Sequence, residues 1–140
     1  EQSTAPETGR WDAFFMGQRT AMQALIGERK ILFVSDQSDY VEFDGWSIRQ
    51  VGGFGRFNKP LRILDTDGER RFVVEGRIRA INQCLPWARR ETVDEVMFEQ
   101  ACKGAQAYTN TILVDSLGRI IRIEQHTGEG ASAFILQLIE

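Results

Sequence analysis

Residues 61–74, LRILDTDGERRFVV, set apolar segments on both sides of an Asp67-Gly68 pair. Asp-Gly suits a two-residue hairpin turn, because both central residues of that turn need positive φ. Counting outward sets Ile63 opposite Phe72 and Leu61 opposite Val74, and places Asp65 beside Arg70 on the other face. Apolar positions thus fall together, as a hairpin with one dry face requires.

The device recurs. In YVEFDGWSIRQV (40–51), counting from Asp44-Gly45 sets Phe43 opposite Trp46 and Val41 opposite Ile48. Around Leu117-Gly118 the same count sets Val114 opposite Ile121 and Ile112 opposite Ile123. Leu-Gly is a poorer turn pair, so a longer loop beginning at Asp115 fits equally well. ILFVS (31–35) reads as a short buried strand, and the closing ASAFILQLIE sets Phe134, Leu136 and Leu138 on one side. VGGFGRFNKP (51–60) reads as a loop or bulged bend. The pattern predicts a mainly β protein, an antiparallel meander of about seven to nine strands forming a curved sheet or half-barrel.

Two stretches read differently. Trp11, Phe14, Phe15, Met22, Leu25 and Ile26 recur at helical spacing, with Asp12 in the first turn and Gly27 at the end. They predict an amphipathic N-terminal helix over 11–26. Val93, Val96, Met97 and Phe98 predict a second, short helix near 91–103, with Thr92 and Glu95 as a capping box. The small, polar opening EQSTAPETG predicts a flexible tether over residues 1–10, ahead of a single domain over 11–140. The chain opens Glu1-Gln2-Ser3, so any signal segment would lie outside it. It holds no apolar run near the length of a membrane-spanning helix.

Net charge is −3, yet residues 49–90 carry ten bases against four acids. Clustered arginines suit anionic partners. Arg77 and Arg79, with Arg49 and Trp46, are therefore candidate ligand-binding residues for an acidic polysaccharide. On a convex face the same arginines would only be solvated. The overall acidity argues against a nucleic-acid partner. Cys84 and Cys102 would form a disulfide in an oxidising compartment, closing a loop worth roughly 3 kcal/mol, and would be two buried thiols in a cytosol.

Catalytic motifs are absent from the pattern. Gly52-Gly53-Phe54-Gly55 lacks the Lys-Ser/Thr of a phosphate loop, and His126 stands between Glu124 and Glu129 without a recognisable nucleophile. No catalytic residue, metal site or cofactor is expected.

VEFDGWSIRQVGGFG, and AYTNTILVDSLGRIIRIEQHTGEGASAFILQLIE at the C-terminus, resemble outer-membrane lipoproteins encoded with exopolysaccharide and group 4 capsule secretion genes. The likeness runs over about residues 30–140. It implies a periplasm-facing accessory protein, attached to the outer membrane only through a lipid anchor, with no established catalytic residues. Three functions compete on this basis. The first is a non-enzymatic envelope protein assisting polysaccharide export or surface assembly, in contact with other envelope export proteins. The second is a lipid- or lipoprotein-carrying half-barrel with a cavity lined by Phe14, Phe15, Trp46 and Ile48. The third is an envelope hydrolase using His126.

Overall fold

A computed structural model describes residues 9–128 and 133–139. The described chain is all β. Its strands are β1 (Gly9–Phe15), β2 (Gln18–Ile26), β3 (Ile31–Val34), β4 (Tyr40–Phe43), β5 (Ile48–Gly53), β6 (Phe57–Thr66) and β7 (Glu69–Val74). There follow β8 (Arg77–Cys84), β9 (Ala88–Glu91), β10 (Val96–Lys103), β11 (Ala107–Val114), β12 (Ile120–His126) and β13 (Ala133–Leu138). Each of β1–β7 pairs antiparallel with the strand that follows it. The chain then passes through β8–β10–β11–β12–β13 and returns to β1, which closes a twelve-stranded barrel. The short β9 lies outside this ring, on the same edge of β10 that β8 uses.

Closure corrects the expected open sheet or half-barrel. Register shifts at Glu42/Phe43, Val51/Gly53, Phe72/Val73 and Leu113/Val114 supply part of the curvature. Each extra residue bends its strand and sharpens the local twist, which a closed sheet needs.

The expected N-terminal helix is the hairpin β1–β2. Trp11, Ala13 and Phe15 point inward with Met22 and Ala24, whereas Phe14, Leu25 and Ile26 are exposed. The turn between them is Met16-Gly17, with φ of 51° and 81°, the positive pair of a two-residue hairpin turn. Period two therefore prevails over the apparent helical stripe. The second expected helix is strand β10. Thr92 and Glu95 do bond to each other, but as the turn joining β9 to β10: Glu95 N donates to Thr92 Oγ1 at 3.2 Å. Residues 1–8 of the expected tether lie outside the described residues, and Gly9 and Arg10 already belong to β1.

The Asp67-Gly68 hairpin has the register read from sequence, with Ile63 opposite Phe72, Leu61 opposite Val74 and Asp65 opposite Arg70. Asp65 and Arg70, expected on the other face, lie on the inward one. They share the parity of Ile63 and Phe72, and Arg70 is fully buried among them. At Asp44-Gly45 the turn is wider than two residues, so Phe43 faces Ile48 and Val41 faces Val51. Trp46 thus sits in the turn rather than in the core. Beyond β11 the longer loop forms, with Asp115 N donating to Arg119 O.

The interior is packed with Trp11, Phe33, Phe43, Ile48, Ile63, Phe72, Ile112, Ile123, Phe134 and Leu136. Apolar inside and polar outside is the reverse of a membrane-spanning barrel. No helix of the described chain is long and apolar enough to cross a membrane. Successive strands alternate direction, so turns 27–30, 44–47, 67–68 and 115–119 gather at one mouth. Turns 16–17, 35–39, 54–56, 75–76 and 104–106 gather at the other.

β8 and β10 share only two register pairs, Cys84–Cys102 and Gln83–Lys103. A disulfide joins Cys84 to Cys102 with the Cα atoms 4.1 Å apart. Leu85 N donates to Ala101 O, so the neighbouring Cys84–Cys102 pair is a non-hydrogen-bonded one, where side chains approach most closely. The staple therefore sits on the shortest ladder of the ring.

Candidate functional site

Inside the first mouth the core turns polar. Arg70 Nη1 donates to Asp65 Oδ1 at 3.2 Å, and Arg70 Nη2 to Gln125 Oε1 at 3.4 Å. Burial pushes the Arg70 guanidinium below its ordinary pKa, and the Asp65 charge opposes that shift. Ser47 Oγ donates to Asp65 Oδ2 at 2.7 Å. Gln125 is fully buried and works on the same turn twice. Its Oε1 accepts from Ile48 N at 2.8 Å, and its Nε2 donates to Trp46 O at 2.7 Å. Asp44 completes the clamp, accepting from Trp46 N at 2.8 Å and Ser47 N at 2.7 Å. A polar group buried without a partner costs about 1–3 kcal/mol, so these bonds hold the 44–47 turn in one position.

That turn carries Trp46, which is 47% exposed. Its ring lies 5.4 Å from the Trp87 ring and 5.1 Å, edge on, from the Phe98 ring. Trp87 arrives from the break between β8 and β9, where Pro86 has no N–H to offer β10. Phe98 stands on β10. Three segments thus build one half-open aromatic platform. An adjoining cleft of about 470 Å³ is lined by Arg89, Glu91, Asp94, Glu95, Phe98 and Asp115.

The sequence-predicted binding residues do not converge. Trp46 lies at this mouth. Arg49 is close to it but engaged, by Asp44 at 2.5 Å and Asp65 at 3.6 Å. Arg77 follows the turn at the far mouth, and Arg79 lines a separate cleft of about 260 Å³ there with Arg56 and Lys59. Trp87, Phe98 and Gln125 were not singled out from sequence. Gln125 shares the parity of Ile123, an available signal of its inward direction, whereas nothing local marks Trp87.

A third cleft, about 510 Å³, opens between β8 and β11–β12, lined by Ala80, Asn82, Tyr108, Glu124, His126 and Gly128 among others. The His126 ring stacks on Tyr108 at 4.3 Å, and Glu124 pairs with Arg122 at 3.0 Å. These two contacts engage the ring and the carboxylate of the hydrolase reading. Asn82 Nδ2 donates to Tyr108 Oη at 2.6 Å. Burial raises the Tyr108 phenol above its ordinary value of 10.0, against the Asn82 bond. A raised folded pKa gives stability that is present below the unfolded value and lost as pH rises through the folded one. The difference between alkaline ultraviolet titrations of the native protein and Tyr108→Phe should show a midpoint above 10.0. A midpoint at or below it would show that the phenol is not buried.

The cavity required of a lipid carrier is not built by its proposed lining. Phe14 is 37% exposed, Phe15 and Ile48 lie in the packed core, and Trp46 is in the turn at the mouth.

Fold and site together define a closed, disulfide-stapled antiparallel β-barrel that displays an aromatic surface at one mouth. Among solved structures this architecture is similar to the hypothetical lipoprotein YmcC from Escherichia coli K12, with a TM-score of 0.68 and 13% identity. The match covers 95% of this chain and 84% of that one, and at this identity it is a likeness of fold. No family model and no curated protein matches the chain.

Proposed function

We propose that the chain is a non-enzymatic cell-envelope protein that holds polysaccharide during export or surface assembly. The observation carrying this reading is the Trp46–Trp87–Phe98 platform, preset by buried hydrogen bonds from Gln125. Trp46 is the exposed member, with Trp87 and Phe98 half-buried beneath it, and an aromatic face already ordered in this way loses little entropy on binding and offers flat area to a sugar ring. The envelope assignment is supported by the disulfide, which persists in oxidising compartments, and by the fold shared with a lipoprotein. The group 4 capsule resemblance of the two sequence segments supports the polysaccharide. Glu91, Asp94 and Glu95 border the platform, so recognition there works through ring faces more than through sugar carboxylates.

Tryptophan fluorescence titrated with cellohexaose is the test. Trp46→Ala and Trp87→Ala should each weaken binding about tenfold, the equivalent of about 1.4 kcal/mol, with little change in melting temperature for the exposed Trp46 and a lower one for Trp87, which packs against the core. Undiminished binding by both variants would remove the platform from the proposal. Tighter binding of polygalacturonate, abolished by Arg77→Ala with Arg79→Ala, would move the site to the far mouth.

A further inference from the structure

The barrel wall is incomplete below the disulfide. β10 reaches only Gln83 on the β8 edge before the chain turns at 104–106, and β8 continues from there down to Arg77. Leu85 N points to β10, and backbone groups alternate along a strand, so the N–H and C=O of Ile81 point the same way, into the gap. No described strand pairs with β8 on that side over Arg77–Asn82. On the outer face of this edge Ile78 is 52% and Ile81 45% exposed. On the inner side lies the cleft of Ala80, Asn82, Tyr108 and His126.

An unpaired strand edge with exposed apolar side chains beside a slot is a template for another strand. We propose that the β8 edge captures an extended, acidic polypeptide segment of a partner protein by β-strand addition. Its backbone would bond to Ile81, its outer side chains would cover Ile78 and Ile81, and its inner ones would enter the cleft. Charge selects the occupant. Arg77, Arg79 and Lys103 frame the edge without an ion pair among the described residues. The nearby acids are engaged, Glu75 by Lys59, Glu69 by Arg71 and Glu124 by Arg122. A second copy of this chain is disfavoured, because edge-to-edge pairing would bring Arg77 and Arg79 of both chains together.

The probe is a short fluorescein-labelled peptide of alternating glutamate and valine, followed by anisotropy. It should bind at least about tenfold more tightly than a lysine–valine counterpart, and N-methylation of alternate residues should abolish binding. Arg77→Glu with Arg79→Glu should reverse the charge preference while leaving the melting temperature close to that of the parent protein. Equal binding of the methylated peptide, an unchanged preference in the double variant, or a dimer in sedimentation that excludes the peptide would each overturn the proposal. The edge and the aromatic platform lie at different mouths, so Trp46→Ala should leave peptide binding unchanged.

Discussion

Replacing Cys84 and Cys102 together by alanine is expected to destabilise the barrel by about 3 kcal/mol. For a chain of 140 residues that corresponds to a melting temperature lower by roughly 10 °C. The chain-entropy value for an 18-residue separation sets the magnitude. Position adds a local effect. The Cys84–Cys102 and Gln83–Lys103 pairs are the whole ladder between β8 and β10, whereas β10 and β11 share eight register pairs. Without the staple, ring closure at this seam rests on very few backbone bonds. Amides of Gln83, Leu85 and Lys103 should therefore exchange by a local opening well below the global unfolding free energy. Trp87 hangs from the same break in the chain, so its contact with Trp46 should loosen with the seam. Titration with dithiothreitol, followed by exchange and by tryptophan fluorescence, reads both effects. An unchanged melting temperature with uniform exchange would show that the strands alone close the ring.

How legible this was in sequence depended on what each segment's signal competes with. Asp67-Gly68 fixes both turn type and register, so Ile63–Phe72 and Leu61–Val74 follow by counting, although the runs Ile63-Leu64 and Phe72-Val73-Val74 blur the alternation of faces. Residues 11–26 carry apolar side chains on both faces of two strands. Phe14 and Leu25 point outward and Ile26 is exposed at the end of β2, and together with the inward Trp11, Phe15 and Met22 they mimic a helical stripe. The discriminating feature was Met16-Gly17, another residue-glycine turn with alternation on each side. At Asp44-Gly45 the local rule failed because the Asp44 side chain binds two backbone N–H groups and widens the turn, which moves Trp46 from a cross-strand pair to the mouth. Ring closure had no local signal. It needs β13 against β1 and β10 against both β8 and β11, and the first of these joins the ends of the chain.

The site was legible only in part for the same reason. Trp46 is conspicuous, but its partners come from β10 and from the break after β8. The Arg77/Arg79 cluster was conspicuous too, yet it stands at the opposite mouth. A register shift at Phe72/Val73 leaves Arg79 as the extra residue, opposite no β7 partner, and there it lines the cleft with Arg56 and Lys59. Parity could have found Arg70. It lies two residues before Phe72 on the same strand face, and an arginine in such a position must either close the barrel's mouth or enter its core.

Arg70→Ala is accordingly expected to cost about 3–5 kcal/mol, read as a lowered urea midpoint. Two losses add: a cavity at a fully buried site, and an Asp65 carboxylate deprived of its inner partner. Asp65 is a quarter exposed and keeps Ser47 and Arg49, which holds its own penalty toward the lower end. The native pair is itself imperfect, since Arg70 Nε has no hydrogen-bond partner among the described residues. A buried ion pair of this kind contributes little net stability relative to apolar residues of similar volume. Asp65→Leu combined with Arg70→Met should therefore unfold within about 1 kcal/mol of the parent protein, far from the single alanine variant. What the double variant should lose is presentation. Ser47 Oγ would have no carboxylate to bond, Arg49 would keep Asp44 and the Ile63 carbonyl, and the side-chain support of the 44–47 turn would come from Gln125 and Asp44 alone. A red-shifted, more quenchable tryptophan emission and weaker cellohexaose binding, in a protein of parental stability, would show that the charges inside the mouth serve the position of Trp46. A double variant as unstable as Arg70→Ala would show that they serve the fold.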